Sequence, residues 1–199
     1  MRVILFSGFL GSGKTTVLLN LAEFVARGEG PGKVVIIENE IGDVDVDGKL
    51  LSGSSFETRN LTSGCICCTL SGEFVSALKD IEENLKPNWI LIEATGLAHQ
   101  TIVDTIRYNF RDDPLTNVVI VDAERWDELY ESIPFLLTAQ VERADLILIN
   151  KIDCVDETEL NHIVADVSEL NSEAPLIRIS ASTDKLDDVW EKVIINDEK

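Results

Sequence analysis

Sulfur and imidazole are scarce in this chain: among 199 residues there are four cysteines, two histidines and one methionine. Four cysteines with no secretory signal do not make a disulfide framework, so a reducing cytoplasm is the expected setting. His99 and His162 alone exclude a histidine-rich metal tract. Positive charge is short as well, with 17 Lys and Arg against 36 Asp and Glu and a net charge of −19. That balance excludes nucleic acid as a partner, because phosphate binding rests on Lys and Arg neutralising the backbone. It attracts cations, although solubility explains such a charge equally well. No uncharged apolar run is long enough to span a membrane. "MRVILFSGFLGSGKTT" opens with one basic residue and an apolar stretch but lacks a small-residue cleavage site, so it reads as a buried first strand and not a signal.

What remains is an ordinary globular composition, 45% apolar and 27% charged. The length suits one domain over 1–199, with no separate carboxy-terminal domain. Apolar runs recur at "RVILFSG", "KVVIIEN", "NWILIEATG", "NVVIVDA", "DLILINK" and "PLIRIS". Helical spacing lies between most of them, at Thr15 to Arg27, Gly72 to Leu85, Ala98 to Tyr108 and Glu157 to Leu170. Strands that are apolar on both faces belong to a parallel sheet covered on both sides, so the expected fold is doubly wound α/β. Ligands of such sheets bind beyond the carboxyl ends of the strands, and chemistry is expected just after each run. The stretch from Asn39 to Thr62 is irregular and reads as a functional loop or a short hairpin.

"GFLGSGKT", Gly8 to Thr15, fits the phosphate-binding pattern G-x-x-x-x-G-K-[ST] between a strand and a helix, which makes the fold that of a P-loop NTPase. Amides of Gly11, Ser12 and Gly13 are expected around the phosphates, with Gly8 and Thr16 in the same set; Lys14 reaches the β and γ phosphates, and the Thr15 hydroxyl ligates magnesium. "NKID" contributes Asn150 as a brace, the Lys151 stem as a cover for the base, and Asp153 as an acceptor for the paired N–H donors of guanine, which names the nucleotide as GTP or GDP. In "ISAS", Ser180 and Ala181 are candidates to offer amides to the guanine oxygen. In "WILIEATG", Glu93 is the acidic magnesium partner and Gly96 the backbone turn toward the γ-phosphate, against the plainer option of a capping or solvated glutamate. Lys14, Thr15 and Glu93 are thus the candidate catalytic residues, with water as nucleophile.

"SGCICCTL" crowds Cys65, Cys67 and Cys68 into four positions. Three thiolates make a soft site for zinc, copper(I) or another late divalent ion. A redox-active thiol cluster and buried small cysteines are the competing readings. Asp43, Asp45 and Asp47 alternate with valines and form either a cation-attracting face or a solvated edge. His99 stands next to the magnesium loop or simply at a helix start, His162 reads as structural, Cys154 as a packing residue beside the base pocket, and Trp89, Trp126 and Trp190 as core or interface fillers.

"GFLGSGKTT", "IENEIGDVDVDG", "LTSGCICC", "IEATGLA" and "NKID", in this order, resemble the CobW-type metallochaperone GTPases, relatives of the nickel GTPases for hydrogenase and urease. The resemblance spans essentially the whole chain. It implies a cytoplasmic GTPase, slow and metal-stimulated, using GTP, magnesium and a transition metal, zinc or cobalt. It makes Cys65, Cys67 and Cys68 metal ligands, with Glu38 and Asp43 as acidic partners and Glu40 as a weaker one. The implied partner is a client metalloprotein or a cofactor-synthesis enzyme, a corrinoid pathway included, and a nucleotide-dependent homodimer is a further implication. A metal buffer, or a redox or metal sensor, with vestigial GTPase activity is the alternative. The chain departs from the pattern in lacking a histidine-rich stretch and in having no proline shortly after "GLA".

Overall fold

The structure is a computed structural model and describes residues 1–27, 34–38, 56–60, 72–94 and 99–192. Its strands are β1 (Arg2–Gly8), β2 (Val34–Glu38), β3 (Phe56–Asn60), β4 (Trp89–Glu93), β5 (Leu115–Asp122), β6 (Leu146–Asn150) and β7 (Leu176–Arg178). Its helices are α1 (Lys14–Arg27), α2 (Glu73–Leu85), α3 (His99–Asn109), α4 (Trp126–Ser132), α5 (Pro134–Val141), α6 (Glu157–Leu170) and α7 (Asp187–Trp190). The strands form one sheet in the order β3-β2-β4-β1-β5-β6-β7. Every pairing is parallel, so all carboxyl ends share one edge. β1 stands between β4 and β5, and the phosphate motif that follows it falls near the middle of that edge.

Alternation along each strand divides the core. Ile4 and Phe6 of β1 face α1 and α7 together with Val17, Leu18, Leu21 and Trp190. Val3 and Leu5 face α2 and α3, against Leu78, Ile102 and Ile106. A third cluster packs Val119, Val121, Ile147 and Ile149 against α4, α5 and α6 through Trp126, Leu137 and Ile163. Helices on both faces explain why β1, β4 and β6 read as unbroken apolar runs, and they establish the doubly wound α/β class.

Local chemistry sets the ends. The Asp156 carboxylate accepts from the amides of Thr158 and Glu159 at 2.8 and 2.9 Å and starts α6. Lys86, left-handed at φ 47°, ends α2 just ahead of Pro87. Pro134 opens α5, where its missing N–H costs nothing.

The irregular stretch from Asn39 to Thr62 departs from the sequence reading. Its residues 56–60 form β3, paired in parallel with β2 at the sheet's edge, where a hairpin would have paired antiparallel. Phe-Glu-Thr-Arg-Asn carries only one strongly apolar side chain, so no apolar run marked it. Helices α4, α5 and α7 are likewise additions, each of eight residues or fewer.

Candidate functional site

The turn after β1 is built around close backbone approach. A Cβ on Gly8 (φ 144°) would run into the Ile120 carbonyl oxygen, and one on Gly13 (φ 95°) into the Asn150 amide nitrogen. Glycine is therefore required at both places by crowding and by conformation. Ser12 N–H donates to the Phe9 carbonyl at 3.1 Å and closes the turn. Gly11, Ser12 and Gly13 lead straight into the amino terminus of α1, and the amides and dipole of a helix start suit a phosphate.

Lys14 is 8% exposed and points back over the turn; its Nζ donates to the Phe9 carbonyl at 3.0 Å and lies 3.9 Å from Glu93 Oε1. Burial lowers its pKa, and the Glu93 carboxylate only partly restores it. The Thr15 hydroxyl donates to Glu93 Oε2 at 2.8 Å. A hydroxyl and a carboxylate that close form the hard oxygen pair that magnesium takes alongside waters and phosphate, so these residues fit the ion. Lys14, Thr15 and Glu93 are thus brought together from β4 and α1, 78 residues apart in the case of Thr15 and Glu93. Thr16 is exposed on the first turn of α1.

Asn150 closes β6 and is buried. Its Nδ2 donates to the Ser12 carbonyl at 2.8 Å and its Oδ1 accepts from Ala181 N–H at 2.9 Å. It therefore ties the phosphate turn to the loop after β7. Asp153 lies in the 3-10 turn Ile152–Cys154, exposed, and accepts from the Ser180 hydroxyl.

Two details differ from expectation. The Ser180 and Ala181 amides are engaged inside the protein: Ser180 N–H donates to Asp184 Oδ2 at 2.6 Å and Ala181 N–H to Asn150. The Ser180 hydroxyl donates to the Asp153 carboxylate. Cys154 is exposed instead of packed, and desolvation with the charges of Asp153 and Glu124 raises its thiol pKa. It is no activated thiol.

Several neighbours were not read from the sequence. Asp122 ends β5 and pairs with Lys151 at 2.8 Å, and Glu124 reaches the same ammonium at 3.3 Å. Arg125 Nη1 donates to the Leu10 carbonyl at 3.3 Å across the phosphate turn. Asp184 holds the Ser180 loop. The position of Asp122 just after an apolar run was the available signal.

His162 is exposed on α6, 3.8 Å from Asp127 of α4 and 3.5 Å from Asp166 of its own helix. Trp126 and Trp190 are buried core residues and Trp89 is half-buried. Among the described residues, no group of three or more His, Cys, Asp or Glu side chains is gathered to hold a metal. Cys65, Cys67, Cys68, Asp43 and Gly96 lie outside the described residues, as do Glu40, Asp45 and Asp47, and Glu38 is placed only as the end of β2. Among the described residues no helix is long and apolar enough to cross a membrane.

Residues 2–178 match the family model described as CobW/HypB/UreG, nucleotide-binding domain. The chain is similar to the zinc chaperone YjiA of Escherichia coli, 34% identical over 194 residues that cover 90% of this chain and 58% of that protein. It is 28% identical over 230 residues to the zinc-regulated GTPase metalloprotein activator 1 of Dictyostelium discoideum, covering 95% of this chain and 48% of that one. The chain thus spans about half the length of the curated relatives it matches. The solved Zn(II)-bound YjiA GTPase of E. coli superposes with a TM-score of 0.61 at 29% identity, covering 88% of this chain and 56% of that chain. The hydrogenase maturation factor HypB of Archaeoglobus fulgidus shares the fold, with a TM-score of 0.69 at 17% identity over 100% of this chain and 91% of that one.

Proposed function

The chain belongs to the CobW/HypB/UreG nucleotide-binding domain family, and on that premise we propose that it is a GTP-hydrolysing metallochaperone. In this reading GTP binds with its phosphates over Gly11 to Thr15 and its base against Lys151 and Asp153. Lys14 neutralises the terminal phosphates, and Thr15 with Glu93 holds magnesium, which supplies charge neutralisation on the phosphates. Water is the nucleophile, and the site contributes mainly positioning and electrostatics. The transition metal is cargo, held by Cys65, Cys67 and Cys68 with Glu38 and Asp43 as the acidic candidates. Zinc is the first choice, since three thiolates suit it and both curated relatives are named for zinc; cobalt is the second. The acceptor is an apo-metalloprotein or a cofactor-synthesis enzyme, a corrinoid one among them.

The observation that carries this reading is the shared edge of the sheet. Asn60 ends β3 at the same edge as Gly8 and Glu93, because every strand is parallel. Cys65 follows Asn60 by five residues. An extended chain of that length reaches roughly 17 Å. The three strand spacings from β3 to β1 amount to about 14 Å. The thiols are therefore within reach of the phosphate site, and γ-phosphate can bias their arrangement.

The test is metal affinity, for zinc and then cobalt, with GDP and with a non-hydrolysable GTP analogue, using Cys67→Ala as control. Tighter metal binding with the analogue, lost in the variant, supports the reading, and linkage requires the metal to tighten the analogue by the same factor. Metal affinity indifferent to nucleotide refutes it in favour of a metal buffer.

A further inference from the structure

The geometry points to Asp122 as a positioning residue of the nucleotide site, one that fixes the Lys151 side chain over the base; this rests on the guanine-nucleotide reading above. Lys151 is a non-glycine residue held at φ 64°. A left-handed backbone is unfavourable for an L-residue, so something must hold it there. Its ammonium is pinned by Asp122 Oδ2 at 2.8 Å and by Glu124 Oε2 at 3.3 Å. Burial alone would lower the Lys151 pKa, but the hydrogen bonds and charges of Asp122 and then Glu124 outweigh it and raise the pKa.

The Asp122 side chain is only 1% exposed, and its Oδ1 has no hydrogen-bond partner among the described residues. A carboxylate buried in this way is costly for the fold on its own account. Its place is telling, because in the β5–β6 register Asp122 lies opposite Asn150. Asn150 joins the phosphate turn to the Ser180 loop. Lys151 is thus anchored at both ends, by its strained backbone next to Asn150 and by its ammonium at the end of β5. The four-carbon stem between these anchors is the part that can cover a base, and Asp122 sets where it lies. Neutralising Asp122 frees the stem, which must then lose rotamer entropy each time nucleotide binds.

The test uses the full chain in three variants, Asp122→Asn, Lys151→Met and the double substitution, with Kd for GDP and ADP measured on each. Asp122→Asn should weaken GDP about tenfold, and the double variant should bind no worse than Lys151→Met, because Asp122 acts only through the ammonium. The loss in Asp122→Asn should fall on the KM for GTP more than on kcat. A merely structural carboxylate predicts losses that multiply in the double variant, which overturns the role. So does an Asp122→Asn chain within twofold of wild type for GDP. A wild-type chain that does not prefer GDP to ADP overturns the guanine reading, and the role of Asp122 falls with it, a failure distinguishable because it precedes any substitution. Should Asp122→Asn not fold, Glu124→Gln carries the same test from the exposed side. It should weaken GDP about threefold beside Lys151 and leave a Lys151→Met chain unaltered; the same loss in both backgrounds overturns the proposal.

Discussion

Gly13 occupies a place where two requirements meet: a φ of 95° and an Asn150 amide nitrogen lying where a Cβ would go. Gly13→Ala should therefore cost about 2–3 kcal/mol in a urea titration, combining left-handed strain with loss of an Asn150 hydrogen bond. GDP binding should fall with it, because Asn150 would release the Ser12 carbonyl. Lys14 yields a prediction of sign. Its pKa in the folded chain is lowered from 10.5 by burial, with Glu93 opposing. In the window between the folded and unfolded values the unfolded state binds more protons, so stability rises with pH there and is full above the unfolded value. A bound phosphate favours the ammonium and lifts the pKa again, so GDP affinity is full below the free chain's value and falls as pH climbs through it. The two slopes, stability upward and affinity downward, should begin below 10.5 and both flatten in Lys14→Met, as measured by unfolding and by titration at stepped pH. The residues of this centre were legible where a motif fixed both type and spacing. Asp122 and Asp184 were not, because a single carboxylate after a strand or in a loop carries no spacing, and only the fold brings it to Lys151 or Ser180.

At the scale of elements, the shortest α-helix among the described residues carries an outsized load. α7 has four residues, yet Trp190 is fully buried against α1 and its Nε1 donates to Asn20 Oδ1 at 2.9 Å. Trp190→Ala should destabilise the chain by about 3–5 kcal/mol, the range for an emptied aromatic site. The ion pair between Arg27 and Asp187 joins the same two helices at 2.8 Å, but its side chains are 60% and 38% exposed. Arg27→Ala should accordingly cost under about 1 kcal/mol. Chemical denaturation of the two variants side by side checks the contrast. α7 also follows the loop that holds Ser180 and Asp184, so Trp190→Ala should weaken GDP binding while Arg27→Ala should not. The long elements were readable from the sequence because burial on both faces leaves unbroken apolar runs, as in Val34–Glu38 and Leu146–Asn150. β3 was not, since Phe-Glu-Thr-Arg-Asn offers no apolar run and only the fold brings it alongside β2. α7 was not, because four residues hold too little periodicity, although Trp190 itself reads correctly as a core filler.

This chain carries −19 charges, and the function proposed above requires it to receive both an anionic nucleotide and a cationic metal. Those demands pull against each other in the long-range field, which governs encounter more than final affinity. The field repels nucleotide from outside the site, while the contacts proposed to hold it, Lys14 and the amides at the start of α1, act only at short range. Salt screens the first far more than the second: the Debye length shrinks from about 30 Å at 0.01 M to about 8 Å at 0.15 M. The association rate of GDP should therefore rise severalfold over that interval, against the usual trend for a charged ligand and a basic pocket. The association rate of Zn²⁺ should fall over the same interval, because the same field concentrates cations. Stopped-flow measurement of both rates on one protein preparation, with dissociation rates recorded alongside, separates encounter from retention. Opposite salt slopes for the two ligands would establish that the acidic surface steers metal at the nucleotide's expense. A GDP rate that falls with salt would mean that the local field of the phosphate turn dominates even at a distance, and that the surplus of carboxylates serves solubility alone.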